Sequence, residues 1–565
     1  MRLNFLMSVE DRVIVVGGGL GGLSAAITAA DAGLSVTLIE KGARLGGAAA
    51  YSGGQVWVGA NHVAAREGIA DDPHDVLTYV RTLAARDPSL FDDERATEWI
   101  DGASAAAKAF EDMGVIRWEV IPDYPDYYFP GVAGSRATGR YLTGAPFDGS
   151  RLGEWRSRLL NAPHFPSGIT YGEMFAWGGI ASRTEWDHEL LAERRARDVL
   201  TFGQGIAAAF LAAVIDRQIP ILTETTVTSL NVDDDGVVGG VTIIDRDGAE
   251  SRLTGWVVLA TGAHDWSPEL SERFTGIPAD DAGSVAPRTL TGDAIGLGTA
   301  VGAKVVALPA WAAPVLPGYI LSAPSFPDDS GARGCYEHCM PHAIVVDQTG
   351  SRFCDDSFHP ALVEAGLARD ASGRLEHLPM FLVWDEDHHQ RYGLGPSQPG
   401  RPYPEGLVTT APTLEGLAVA LGIDPQRFVA TVANFNIGAA NGHDAEYGRG
   451  SNLSVRKFRG DANHPISPNV APLSRAPFHG LRLRLLNTGI AAAGLRTGLA
   501  GRVLRSDGSE VVGLHAAGES AARIAAGLGY NSGYSLSRAM TYGRLAALDI
   551  AAQRERAAER SGPGQ

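Results

Sequence analysis

Cysteine is scarce, with only Cys335, Cys339 and Cys354 in 565 residues. An odd, small count excludes a disulfide framework and points to a reducing, cytoplasmic compartment. Cys335 and Cys339 flank His338, but a four-ligand zinc site needs a second ligand pair, so no metal is expected. Positive charge is also in short supply: 48 Lys and Arg against 65 Asp and Glu leave a net charge of −17. That balance excludes non-specific nucleic-acid binding, which needs cations to displace counterions from phosphates. No run of roughly 18 apolar residues occurs, so no membrane span is expected. Met1–Val9 lacks the long apolar region of a signal peptide.

Glycine, by contrast, is abundant at 70 residues, with no collagen-like period to account for it. Glycine-rich turns that bring backbone close to a phosphate-bearing cofactor would account for it. The most informative cluster follows Arg12-Val-Ile-Val-Val16, a continuous apolar run suited to a buried parallel strand. Gly17-Gly18-Gly19-Leu20-Gly21-Gly22 contains G-x-G-x-x-G at Gly17, Gly19 and Gly22. The first glycine allows a tight turn, the second lets backbone approach a pyrophosphate, and the third lets the helix pack on the strand. The amides of Leu20 and Gly21 open an Ala-rich helix whose dipole favours phosphate. A second strand, Leu34–Ile39, ends in Glu40-Lys41, where a carboxylate accepts hydrogen bonds from a ribose diol.

A second glycine-rich stretch runs through Gly46, Gly47, Ser52, Gly53 and Gly54. A nicotinamide site does not need it. A flavin does, because backbone must run along the ribityl chain and the ring system. The strand ending in Ala260-Thr261-Gly262 and the strand leading to Gly518-Glu519 each turn on a glycine in a similar way. FAD is therefore the expected cofactor.

The fold class read from this pattern is α/β: a discontinuous Rossmann-like domain (residues 1–275 and 481–565) with an inserted α+β substrate domain (residues 276–480). Length alone predicts two or three packed units. Residues 116–165, rich in Tyr, Pro and Gly, read as an irregular surface segment. A long helix is predicted over about residues 535–553.

These elements resemble the fumarate reductase/succinate dehydrogenase flavoprotein superfamily over nearly the whole chain. The resemblance implies that Val227 lies near adenine, that Glu519 contacts the ribityl chain, and that the amides near Ser535 and Leu536 face the flavin pyrimidine. The superfamily's histidine for covalent flavin attachment has no match, so non-covalent FAD is expected. The dicarboxylate element His-Thr-x-Gly-Gly is replaced by Asn487-Thr488-Gly489-Ile490-Ala491, which argues against a dicarboxylate substrate.

The sequence is instead similar to the 3-ketosteroid dehydrogenase branch. Tyr127, in Pro125-Asp126-Tyr127-Tyr128, matches the tyrosine that assists proton removal. Pro146-Phe147-Asp148 follows at a familiar distance. Tyr530, in Gly529-Tyr530-Asn531-Ser532-Gly533, matches the tyrosine that binds the ketone, and Gly533 the backbone N–H beside it. The segment Gly350–Ser357 also matches, but the principal catalytic tyrosine expected after it is missing and Phe358-His359-Pro360 stands there. His359 is thus a candidate base or relay, since histidine titrates near neutrality, and Tyr336 is a fallback. The pair Tyr530 and Ser532 also resembles the sister enzymes that act at the 4,5 bond, so Δ1 and Δ4 regiochemistry are both open. The implied partners are a small hydrophobic ketone and an unidentified electron acceptor. A fumarate- or enoate-type reductase and a non-catalytic FAD-binding protein are the competing readings.

Overall fold

The computed structural model describes residues 12–165, 167–324 and 329–560; Met1–Val9 lies outside them. The fingerprint unit forms as its sequence dictates. Strand β1 (Arg12–Val16) leads into helix α1 (Leu20–Asp31) and strand β2 (Ser35–Ile39). Val13, Ile14 and Val15 are wholly buried, as a central parallel strand with both faces covered requires. Helix α2 (Phe202–Asp216), strand β3 (Ile221–Leu222) and strand β4 (Trp256–Leu259) complete the first pass through this layer. The second pass inserts β5 (Val315–Ile320), β6 (Ala343–Asp347), helix α3 (His359–Gly366), β7 (Met380–Trp384) and β8 (Phe478–Asn487). The chain then returns with β9 (Arg502–Leu504), β10 (Glu510–Ala516) and helix α4 (Tyr534–Arg560), which starts where expected and runs seven residues longer than about residue 553.

The first sheet has the order β9-β10-β4-β1-β2-β3. All its pairings are parallel except β9 with β10. Two stretches of sequence more than two hundred residues apart therefore build one sheet. An antiparallel three-stranded sheet, Thr226–Val232, Val238–Ile244 and Glu250–Thr254, extends from it before β4. The inserted unit is built on a seven-stranded sheet in which β8 is the common partner, pairing β5, β7 and the short strands Ala282–Ser284 and Thr409–Ala411. Strand β8 runs to Asn487 and so crosses the boundary drawn at residue 480. Among the described residues no helix is long and apolar enough to cross a membrane.

The segment 116–165 is less irregular than its composition suggests. Trp118–Val120 and Tyr141–Gly144 pair with each other, and the latter also with Val56–Trp57. Two buried ion-pair clusters fix the loops that reach the cavity. Arg140 bridges Asp71 at 2.8 Å and Asp126 at 2.9 Å, while Trp57 Nε1 donates to the other Asp126 oxygen at 2.8 Å. Arg352 forks onto Asp444 at 2.9 and 2.8 Å and reaches Asp356 at 3.2 Å. Asp356 also pairs with Arg449 at 2.9 Å. Losing one partner would leave a buried charge uncompensated, at a cost of about 3–5 kcal/mol. These clusters hold the residues immediately before Tyr127 and α3.

Candidate active site

One continuous cavity runs from the β1–α1 turn to the inserted unit. Its first end is made by the fingerprint. Gly17 has φ +113°, and a Cβ there would lie 2.2 Å from the Ala260 carbonyl oxygen. A Cβ at Gly22 would lie 1.8 Å from the Gly17 carbonyl oxygen. Only glycine lets the turn, β4 and α1 meet this closely. Helix α1 starts with no side-chain cap, so its first-turn amides and dipole are available to an anion beside Gly19, Leu20 and Gly21. Glu40 lies at the end of β2 and accepts from Gly18 N–H at 2.9 Å and Gly42 N–H at 2.8 Å, and burial raises its pKa. Lys41 also lines the cavity, but its ammonium pairs with Asp293 at 2.7 Å.

Gly47, Ser52, Gly53, Gly54, Val227, Ala260, Thr261, Gly262, Gly518, Glu519, Ser535 and Leu536 continue the wall. Gly22 and Gly46 do not line it; they stand behind it, Gly22 against β1 and Gly46 donating to the Gly18 carbonyl at 2.8 Å. The Glu519 carboxylate accepts from Ala491 N–H at 2.9 Å and Ser535 Oγ at 2.8 Å. It thereby braces the start of α4. The uncapped α1 turn, a carboxylate at the end of β2, and a helix start at the middle of the cavity form a donor set that fits FAD: pyrophosphate, ribose diol and the negative end of a reduced flavin. Gly17→Val is expected to weaken FAD binding at least about tenfold, the equivalent of the 1–3 kcal/mol cost of overpacking. The FAD-to-protein absorbance ratio of purified protein checks this.

At the other end the cavity is lined by Tyr127, Tyr336, His359, Arg459, Tyr530, Ser532 and Gly533. Main-chain bonds hold Tyr127 on both sides: its N–H donates to Asn531 Oδ1 at 3.2 Å, and its carbonyl accepts from Asn452 Nδ2 at 2.8 Å. Asn531 is itself bonded to the hydroxyls of Tyr79 at 2.8 Å and Tyr141 at 2.6 Å. It therefore locks Tyr127 beside Tyr530, with ring centroids 6.0 Å apart. The hydroxyls of Tyr127, Tyr336 and Tyr530 have no hydrogen-bond partner among the described residues, whereas Tyr171 donates to Gly53 O at 2.7 Å. Burial and the neighbouring Tyr127 push the Tyr530 pKa above its ordinary value, against Arg459 and Arg523, so its hydroxyl stays a donor. Gly533, at φ +83°, has a Cβ position 2.6 Å from Trp57 N, and no described residue accepts its N–H.

Two expectations change. His359 Nε2 lies 3.3 Å from the Val315 carbonyl oxygen, which can only accept, so the ring proton sits there and the buried Nδ1 keeps a lone pair without a partner. Burial pushes its pKa well below 6.5, so it is not a group that titrates near neutrality. It remains a neutral ring packed edge-on to Tyr530 at 5.2 Å. Ser532 Oγ is hydrogen-bonded to Gln55 Oε1, whose amide nitrogen reaches the Tyr124 hydroxyl at 3.3 Å. Ser532 thus donates into the wall, and the lone pairs of its hydroxyl are what remain to face a ligand. Phe147 belongs to a two-stranded pairing with Leu200 and does not line the cavity. Gln55, His164, Arg459 and Arg523 line it without having been singled out in the sequence.

The family pattern described as an FAD binding domain matches residues 12–536. A 3-oxosteroid 1-dehydrogenase of Mycolicibacterium smegmatis is 28% identical, over 97% of this chain and 98% of its own. A 4-oxocyclohexanecarboxylate 2-dehydrogenase of Sinomonas cyclohexanicum is 32% identical, over 96% and 93%. The solved 3-ketosteroid Δ1-dehydrogenase of Sterolibacterium denitrificans, in complex with 1,4-androstadiene-3,17-dione, superposes with a TM-score of 0.86 at 27% identity, covering 96% of this chain and 99% of that one.

Proposed function

Because the chain belongs to the FAD binding domain family, on the branch that holds the 3-ketosteroid dehydrogenases, we propose that it introduces a carbon–carbon double bond α,β to a ring ketone. The observation that carries this reading is the pairing of a protonated Tyr530 hydroxyl with the unengaged Gly533 N–H, beside Tyr127, in the cavity that the dinucleotide fingerprint opens. The ketone oxygen accepts from both donors, which stabilises the enolate as it forms. The Tyr127 oxygen takes the α-proton. The β-hydrogen leaves with its electron pair, and the α-carbon electrons form the new double bond. When bound, FAD supplies the two-electron acceptor for that hydride. The electrons then pass to an external acceptor.

Relatives named for 3-oxosteroids and for 4-oxocyclohexanecarboxylate share a ring ketone with a saturated neighbouring bond, and that is the feature the reading commits to. FAD is held without a covalent bond, in keeping with the missing attachment histidine; acid precipitation should leave the yellow colour in the supernatant. Anaerobic mixing with a saturated 3-ketosteroid and with monocyclic ketones should bleach the visible flavin band and yield the enone. A flavin that only enones reoxidise, and that no saturated ketone reduces, would assign the enzyme to the reductases instead.

A further inference from the structure

We propose that Arg459 anchors a substrate carboxylate, so that the substrate is a cyclic oxo acid, with its ketone at Tyr530 and Gly533 and its acid group at Arg459. This rests on the ring-ketone reading and narrows it. Arg459 follows the short helix Leu453–Phe458 and lines the same cavity as Tyr127, Tyr530 and His359. Its guanidinium lies 4.9 Å from the Tyr336 ring centroid and 5.9 Å from that of Phe458.

Of the other arginines buried near the site, Arg140 pairs with Asp71 and Asp126, Arg352 with Asp444 and Asp356, and Arg538 with Glu519, while Arg523, which also lines the cavity, donates to the Gly529 carbonyl at 2.9 Å. Among the described residues, Arg459 has no carboxylate within ion-pair distance. An arginine guanidinium does not lose its proton in a protein, so the group stays cationic here. A guanidinium offers five N–H donors in a fork shaped for a carboxylate. The ring faces beside it satisfy its charge but not its hydrogen bonds. A cation without a carboxylate partner in a cavity wall suits an anion that arrives with the ligand.

The position restricts that ligand. Arg459 lines a small recess together with Tyr127 and His359, whose rings pack against Tyr530, so it stands at the ketone end of the cavity. An acid group carried on the same six-membered ring as the ketone meets this requirement. The distant ring of a steroid does not.

The test uses the FAD-loaded enzyme with 4-oxocyclohexanecarboxylate and its methyl ester. The acid should be preferred in kcat/KM by about ten- to a hundredfold, the range for a hydrogen-bonded charge. Arg459→Gln should collapse the acid-to-ester ratio of kcat/KM, at unchanged FAD content, and Arg459→Lys should retain part of it. Equal use of acid and ester by the wild type would overturn the proposal while leaving ring-ketone desaturation intact. So would an Arg459→Gln variant that slows both substrates but keeps their ratio, since the arginine would then serve only the tyrosines. If no ketone reduces the flavin, the desaturation reading itself fails. The binding of 4-hydroxybenzoate against its methyl ester, followed by the shift of the flavin band, still decides the role of Arg459: equal dissociation constants overturn it, and a tenfold preference for the acid that Arg459→Gln abolishes upholds it.

Discussion

Tyr530→Phe is expected to lower kcat by about 10²–10³-fold, the usual loss when one donor to a developing oxyanion is removed. KM should change little, because the hydrogen bond strengthens as charge moves onto the ketone oxygen in the transition state. The substitution removes only the hydroxyl, which has no partner among the described residues, and keeps the ring that packs against Tyr127 at 6.0 Å and His359 at 5.2 Å. Melting temperature and FAD content should therefore stay at wild-type values. Gly533 N–H remains as the second donor, so activity should not vanish. A variant within twofold of the wild type would remove Tyr530 from the oxyanion site, and the ketone would have to be placed elsewhere in the cavity.

The cofactor half of the cavity was legible in the sequence because its causes are local. Gly17, Gly19 and Gly22 lie within six residues, and each answers to a need its neighbours in sequence impose: the turn at φ +113°, the open approach, and the packing of α1 on β1. Glu40 was legible for the same reason, as the residue that ends β2. Gly533 and the start of α4 could be read from the run Gly529–Gly533, since a glycine at φ +83° must precede a helix packed on Trp57.

What was not legible depends on contacts between distant segments. Lys41 lines the cavity, but its partner Asp293, 252 residues away, gave no local sign. The partner of Ser532, Gln55, lies 477 residues away and was equally silent. His359 has a histidine's ordinary range in isolation; only the packing of α3 on β5 buries it and keeps it neutral. Arg459 carried no signal at all, because an arginine in Lys457-Phe458-Arg459 reads as a surface charge. Its placement depends on a helix of six residues whose neighbours come from four other parts of the chain. Catalytic assignment is harder than cofactor assignment in this fold for that reason: the fingerprint is one segment, whereas the reacting end is assembled from residues 127, 336, 359, 459 and 530.

With His359 held neutral, proton removal falls to a phenol, and Tyr127→Phe is expected to reduce kcat by about 10²–10⁴-fold, the range for losing a general base. Stopped-flow reduction of the flavin by a saturated ring ketone checks this. His359→Gln should leave the wild-type pH profile in place near neutrality, because a histidine whose pKa lies well below 6.5 carries no proton to lose there. The backbone of Tyr127 is fixed by Asn531 and Asn452, neither of which contacts its hydroxyl, so the phenylalanine variant should fold and load FAD normally. If Tyr127→Phe keeps the wild-type rate, the base is Tyr336, the unpartnered phenol under Arg459, and Tyr336→Phe should then show the loss instead.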